Sequence, residues 1–287
     1  MKILVLGASG MLGSAAFRQL SATSGITALA TARGEGVRRH FAPAMQERLI
    51  TGIDALDTDA LATVLARVQP DVVLNCIGVV KQLATAKDPL VALPLNALLP
   101  HRLARLATLG RARLVHISTD CVFSGNLGNY TEAMPPDAGD LYGRSKLLGE
   151  VDYPNAITLR TSIIGRELGS ANGLVEWFLG SAGPVRGFTR TIFSGLPTDE
   201  LVRVIASHVL PHPEMSGVWH VGAEPIDKHA LLVLLRQAYG RTTAIVPDAT
   251  VVLDRSLDSS RFRAATGYAP PGWPALIETM SACEERP

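Results

Sequence analysis

The segment KILVL at residues 2–6 runs straight into Gly7-Ala8-Ser9-Gly10-Met11-Leu12-Gly13 and then into a stretch rich in alanine and leucine. An unbroken apolar run closed by glycine reads as a strand buried on both faces, and the stretch after it reads as a helix that starts inside the turn. Glycine at 7, 10 and 13 permits a tight turn, close approach of a phosphate, and close packing of helix on strand. The helix start supplies N–H donors and the positive end of a dipole. The chain is therefore expected to begin with a βαβ unit that holds a dinucleotide on Gly7, Ser9, Gly10, Met11, Leu12 and Gly13. The spacing is GxxGxxG rather than GxGxxG, and the triplet taken alone also fits a tight βα turn without a ligand.

The rest of the first half repeats the same alternation. Strands are expected near 2–6, 26–32, 47–53, 71–77, 112–118 and 156–161, with helices at 11–21, 58–68, 88–108 and 142–151. Pro94 and Pro100 must interrupt or kink the third helix, because proline has no N–H to give and crowds the preceding turn. Six strands joined by crossovers predict an α/β, Rossmann-like, doubly wound parallel sheet. Beyond residue 165 the alternation weakens, with helices expected at 172–180, 198–208, 227–239 and 273–282. Residues 1–165 are thus read as the dinucleotide-binding domain and 166–287 as a smaller substrate lobe that interleaves with it. A chain of 287 residues, 47% of them hydrophobic, is long enough to bury such a core without disulfides or metals.

Charge and cysteine content exclude several classes of function. Lys and Arg total 27 against 26 acids, a net charge of +1, and the arginines are scattered, so no field exists to hold a nucleic acid. Cys76, Cys121 and Cys283 are odd in number and lack ligand spacing, which argues against a disulfide framework and against a metal site. No apolar run approaches the roughly 18 residues of a membrane span. These features together predict a cytoplasmic chain.

Two further groups carry chemistry. The second expected strand ends Thr31-Ala32-Arg33, where an arginine suits the 2′-phosphate of NADPH and an acid would suit the ribose of NADH. NADPH is the expectation, with NADH the alternative because Glu35 stands two residues on. Tyr142 and Lys146 share one face of a helix at i and i+4, and Ser118-Thr119-Asp120 closes the strand before them. A phenol near an ammonium and the positive charge of an oxidised nicotinamide should have its pKa drawn down toward a working range, and a hydroxyl at 119 could hold the carbonyl that the phenol protonates. The aperiodic stretch 124–141 between them follows a strand's carboxyl end, a common place for a functional loop.

Together, GASGMLG, Asn75-Cys76-Ile77-Gly78, Asn96, Ser118-Thr119-Asp120, Tyr142 to Lys146 and Arg160-Thr161-Ser162 resemble the extended short-chain dehydrogenase/reductases in order and spacing. STDCVFSG, YGRSKLLGE, Gly195-Leu196-Pro197-Thr198 and the late DRSLDSSRF segment resemble the nucleotide-sugar 4-ketoreductases of the dTDP-4-dehydrorhamnose reductase type. The resemblance runs from residue 1 to about 275. It implies NADPH-dependent reduction of the C4 ketone of a nucleotide-activated 4-keto-6-deoxyhexose, in deoxysugar and surface-polysaccharide synthesis. Tyr142 would give the proton, Thr119 would bond the same oxygen, and Lys146 would bond the nicotinamide ribose. Asp54 would face the adenine, and Cys76, Ile77, Gly78, Asn96 and Ser118 would lie along the cofactor. Val80, Lys81, Gln82, Asp120, Cys121 and Ile163 would line the sugar pocket. A small-molecule partner is implied rather than a nucleic acid or membrane, and a homo-oligomer is allowed.

The resemblance leaves two alternatives: a non-catalytic NADP-binding regulatory protein of the same fold, and an epimerase. Cys121 stands where fucose-forming relatives place an epimerising cysteine, although no histidine occurs between His116 and His208 to act as its partner. Cys121 also replaces the tyrosine usual in rhamnose-forming reductases, and Ile163 replaces an aromatic. Arg186 and Arg190 are candidates for the substrate diphosphate or for a solvated loop. Leu174, Val175, Trp177 and Phe178 read as core or a pocket lid. His208 and His212 have helical ligand spacing, but Pro211 breaks that helix, so no metal is expected.

Overall fold

The computed structural model describes residues 1–284. The first part contains β1 (Lys2–Leu6), α1 (Met11–Ala22), β2 (Thr27–Thr31), α2 (Pro43–Gln46), β3 (Leu49–Ile50), α3 (Thr58–Val68), β4 (Val72–Asn75), α4 (Pro89–Ala92), α5 (Leu99–Leu109), β5 (Arg113–Thr119), α6 (Leu141–Leu148) and β6 (Ala156–Thr161). There follow β7 (Ile163–Ile164), α7 (Leu174–Leu179), β8 (Val185–Phe188), β9 (Thr191–Phe193), β10 (Leu196–Pro197), α8 (Thr198–Val204) and β11 (Gly217–His220). The last elements are β12 (Ile226–Asp227), α9 (Lys228–Ala238), β13 (Ile245–Asp248), β14 (Leu253–Asp254), α10 (Ser260–Thr266) and α11 (Trp273–Glu284).

Seven parallel strands form one sheet in the order β11-β6-β5-β4-β1-β2-β3. The order reverses beside β1, and a crevice opens there at the carboxyl edge, where open α/β sheets bind ligands. Both faces of the sheet are covered. Ile3 and Val5 belong to one apolar cluster with α1 and α8, while Leu4 and Leu6 belong to a second with α3 and α5. All four are at most 1% exposed, each side chain contributing about 1.5–3 kcal/mol by burial, and for that reason KILVL reads as an unbroken apolar run.

Asp57 caps α3 by accepting from Asp59 N and Ala60 N at 3.0 Å, a contact worth about 1 kcal/mol. The expected proline interruption falls between α4 and α5, where residues 93–98 form a π-helical turn. That widened turn carries Asn96 into the interior, fully buried. The seventh strand, β11, was not expected. It comes from the carboxyl-terminal part and pairs with β6 from Gly217 with Ile157 to His220 with Arg160, so the second lobe contributes to the central sheet.

Outside that sheet the carboxyl-terminal part is made of short pairings: β12-β9-β14, β13-β8 and β10-β7. The stretch 124–140 also differs from expectation. Tyr130 is buried, stacks on Phe123 with ring centroids 4.2 Å apart, and its hydroxyl accepts from Gly125 N and Leu127 N. Its backbone N–H donates to Ser256 O at 2.8 Å. The loop therefore packs as a small core of its own against the carboxyl-terminal segment.

Candidate active site

The glycine turn sets one wall of the site. Gly7 has φ +91°, and a Cβ built on Gly13 would stand 2.0 Å from Gly7 O, so the third glycine is required for α1 to pack onto the end of β1. Gly10 is the N-cap of the twelve-residue α1, and none of the described side chains caps it. The first turn thus keeps its N–H groups directed at the crevice, a ready phosphate site.

The opposite wall is built on β5 and α6. Asp140 caps α6 by accepting from Gly143 N at 2.8 Å, and Lys81 bonds its other oxygen at 2.6 Å, which fixes how Tyr142 and Lys146 are presented. A Cβ on Gly143 would lie 2.2 Å from Cys121 O, so the helix crosses the end of β5 in direct contact. Thr119 Oγ1 accepts from Cys121 N and donates to Asp120 Oδ1, both at 3.1 Å, and lines the same cavity as Tyr142. Lys146, 6% exposed, donates from Nζ to Ile117 O at 2.7 Å.

Between the walls lies a cavity of about 520 Å³, a usual size for a small-ligand site. Four cations, Lys81, Lys146, Lys228 and Arg255, line it against two carboxylates, Asp120 and Glu167, so it favours an anionic ligand. Burial lowers Lys146 from its ordinary value to about 8, opposed by the charge of Glu150. Burial raises Asp120 in spite of the Arg255 charge. The Tyr142 phenol is also raised, first by burial and then by Cys121, contrary to the expected fall. Burial is the main reason, followed by Cys121, Asp120 and Asp140, with Thr119 acting the other way, while the Lys146 ammonium points to the Ile117 carbonyl.

The chain matches the family described as "RmlD substrate binding domain" over residues 1–230. It belongs to that family. A probable low-salt glycan biosynthesis reductase, Agl14, of Haloferax volcanii is 31% identical over 234 residues, covering 79% of this chain and 71% of that protein. Methionine adenosyltransferase 2 subunit beta of Danio rerio is 31% identical over 172 residues, covering 58% of this chain and 49% of that protein. The chain spans about half the length of this and similar curated relatives. A solved dTDP-4-dehydrorhamnose reductase of Bacillus anthracis, in complex with NADP, shares the fold with a TM-score of 0.79 at 19% identity, covering 97% of this chain and 96% of that one.

Of the residues expected at the RmlD-family site, Ser9, Gly10, Met11, Leu12, Cys76, Ile77, Gly78, Val80, Lys81, Gln82, Ser118, Thr119, Asp120, Cys121, Tyr142, Lys146 and Ile163 line the cavity. Gly7 and Gly13 shape it from behind. Asn96 also stands behind, accepting from Val79 N at 2.9 Å and donating to Ser145 Oγ at 3.2 Å, so it ties the Gly78 strand end to α6. Ser118 points its hydroxyl away, to Glu150 Oε1 at 2.7 Å.

Several expected contacts fall elsewhere. Arg186 lies outside the cavity on β8, bound to Asp248 and, at 3.0 Å, to Thr250 Oγ1 across the β8-β13 pairing. Asp54 turns back to accept from Leu56 N at 2.9 Å, and no residue of 124–140 lines the cavity. Arg33 stands exposed past the end of β2 without an ion-pair partner among the described residues, while Glu35 is taken up by Arg38 and Thr51. Burial and the Asp120 charge push the Cys121 thiol up to about 12, which suits packing better than acid/base work. His208 bonds Thr266 O and His212 pairs with Glu214, so the two imidazoles face different partners. Leu174 lines the cavity, whereas Val175 and Phe178 are core and Trp177 is 45% exposed.

Sequence reasoning missed Lys228 and Arg255. Lys228 opens α9, and Arg255 donates to Phe123 O at 2.8 Å and Ser124 O at 3.2 Å, which brings both cations to the cavity beside Asp120. A single lysine at a helix start carries no sequence signal for this placement, whereas Arg255 belongs to the DRSLDSSRF segment, whose resemblance to the reductases does not by itself assign the arginine to the site.

Proposed function

We propose that this chain is an NADPH-dependent reductase of the C4 ketone of a nucleotide-activated 4-keto-6-deoxyhexose, acting in deoxysugar and surface-polysaccharide synthesis. The observation that carries the reading is the meeting of Thr119, Tyr142 and Lys146 at one wall of a cation-lined cavity whose opposite wall is the glycine turn. The uncapped start of α1 and the close approach allowed at Gly10 fit a pyrophosphate. Gly78 leaves the space beside Lys146 Nζ open for the ribose. The exposed, unpaired Arg33 favours the 2′-phosphate, and the engagement of Glu35 elsewhere removes the competing acid. The B. anthracis structure, with its NADP, supports the same cofactor, and the name of the H. volcanii relative supports a reductase in glycan synthesis.

When bound, the cofactor supplies the hydride. Tyr142 Oη gives its proton to the ketone oxygen, and Thr119 Oγ1 bonds that oxygen and orients it. A high phenol pKa keeps the proton in place until oxygen charge develops. Lys146 holds the nicotinamide ribose with its ammonium. Lys228 and Arg255 take the substrate diphosphate, the role first assigned to Arg186. In this division residues 1–165 bind the cofactor and 166–287 the sugar nucleotide, with β11 crossing between them. We place the protein in the cytoplasm; no helix among the described residues is long and apolar enough to cross a membrane.

The test is loss of reduced-nicotinamide absorbance when protein and NADPH meet dTDP-4-dehydrorhamnose, with UDP- and GDP-linked 4-keto-6-deoxyhexoses in parallel. Oxidation with one of them is the expected result. Tight NADPH binding with silence toward all of them would instead favour a non-catalytic NADP-binding regulatory protein of the same fold; the D. rerio relative is named as a subunit.

A further inference from the structure

Glu150, Arg160 and His220 form a buried polar chain beneath the catalytic wall that the proposed reaction does not use. Glu150 follows α6 by two residues and stands four after Lys146. Its Oε1 accepts from Ser118 Oγ at 2.7 Å and from Arg160 Nε at 2.7 Å, and its Oε2 accepts from Arg160 Nη2 at 2.6 Å. Both ion-pair side chains are only 6% exposed. Lys146 Nζ meets the carbonyl of Ile117, and Glu150 meets the hydroxyl of Ser118, so ammonium and carboxylate settle on consecutive residues of β5.

Arg160 is fixed in turn. Its Nη1 lies 3.2 Å from His220 Nε2, and its guanidinium sits over the Phe123 ring at 5.3 Å. His220 Nδ1 lies 2.9 Å from Tyr130 O. A carbonyl can only accept and a guanidinium can only donate, so the imidazole carries its hydrogen on Nδ1 and receives Arg160 on Nε2. The neutral ring is the form that fits, because a second cation would face the guanidinium. A buried Arg–Glu pair is often worth little to stability compared with apolar residues of the same volume, which makes a functional reason for this one worth testing.

We propose that Glu150 is the positioning residue for Lys146: oriented by Ser118 and by the Arg160–His220 pair, its carboxylate keeps the buried ammonium charged and directed at the cofactor side of the cavity. The titratable groups whose charge acts on that ammonium are Glu150, then Cys76 from the end of β4, and His116 from β5, with Arg160 bound in turn to Glu150 and His220 to Arg160. Cys76 is a thiol pushed up to about 12 by burial, and burial holds His116 neutral. Glu150 is therefore the carboxylate of this set, ion-paired with Arg160. This assignment rests on the proposed cofactor role of Lys146, but its first readout does not depend on turnover.

The chain has five lysines, at 2, 81, 87, 146 and 228, so the Cε resonance of Lys146 can be assigned by substitution and titrated directly in the intact protein labelled with [ε-13C]lysine. In Glu150→Gln the Lys146 midpoint is expected to fall by at least one pH unit from about 8. The alkaline limb of kcat/KM should move to lower pH with it, while activity at lower pH returns toward the unaltered enzyme. A stranded guanidinium can prevent folding, so Glu150→Gln combined with Arg160→Met is made alongside, removing both buried charges, and a smaller fall in the same direction is expected because the opposing guanidinium is gone too. An unchanged Lys146 midpoint in whichever variant folds overturns the proposal, and so does equal loss of activity at every pH without a shift. A shifted midpoint in a protein that reduces none of the ketones would refute the reductase reading and leave the positioning role standing.

Discussion

The cofactor wall of the cavity is carried by the ends of sheet strands and the start of α1, whereas the sugar wall is gathered from segments far apart in the chain. Ser9 to Leu12, Asn75 to Gly78, Ser118 to Cys121, Tyr142 and Lys146 stand at or after the ends of strands held in register by the parallel ladder. Lys228 and Arg255 come instead from the carboxyl-terminal part, and Arg255 is fixed by bonds to Phe123 and Ser124, about 130 positions earlier. One wall is placed by secondary structure and the other by tertiary contacts. On the proposed assignment, recognition of the sugar nucleotide depends directly on residues of the second lobe, whereas the cofactor wall meets that lobe through the packing of α1 on α8 and of β11 on β6.

The largest expected effect lies in the chemistry that joins the two walls. Tyr142→Phe should reduce turnover by about 10³-fold or more while NADPH affinity, measured by fluorescence titration, stays unchanged. Retained turnover would remove the phenol from the mechanism. The comparison of walls is sharpened by Lys228→Ala and Arg255→Ala. Each is expected to raise KM for the sugar nucleotide roughly 10- to 100-fold, the value of one charged hydrogen bond, with NADPH binding intact. A matching loss of NADPH affinity would show that the division between walls is wrong.

The pH dependence of the cofactor wall follows from Lys146. Burial depresses its pKa to about 8, so the charged form is present below that pH and is lost as pH rises through it. The value of kcat/KM for NADPH, which reports the free enzyme, should fall about tenfold per unit above pH 8. A profile flat to pH 10 would mean that the ammonium is not required.

How far each wall could be read from the sequence follows the same division. β1 was legible because Ile3 and Val5 bury on one face and Leu4 and Leu6 on the other, so its pattern needs no partner to interpret. β11 was not, since Gly217 to His220 is four residues long and becomes a strand by pairing with β6, some 60 positions away. Thr119, Tyr142 and Lys146 were legible from a strand end and an i,i+4 face. The fine chemistry of their neighbours was not. Ser118 is committed to Glu150, Asn96 to Val79 and Ser145, and the phenol is raised rather than lowered, because each depends on which neighbour packing delivers. The aperiodic 124–141 stretch gave no sign in its composition that Tyr130 would bury and pack it against the carboxyl-terminal segment.

The smallest expected effect tests the limit of the second wall. Arg186 was an attractive anion ligand by charge and position in sequence, yet its side chain is 63% exposed on β8 and is held by Asp248 and Thr250. An exposed ion pair of this kind is worth about 0–1 kcal/mol, screened further by salt. Arg186→Ala should therefore lower the denaturation midpoint only slightly, and KM for the sugar nucleotide should change by less than about twofold, against the 10- to 100-fold expected at Lys228 or Arg255. Steady-state kinetics of the three variants side by side make the distinction. A tenfold or greater rise in KM for Arg186→Ala would mean that the β8-β13 ribbon swings toward the cavity when the nucleotide binds, and would place the diphosphate on a mobile part of the lobe rather than on the start of α9.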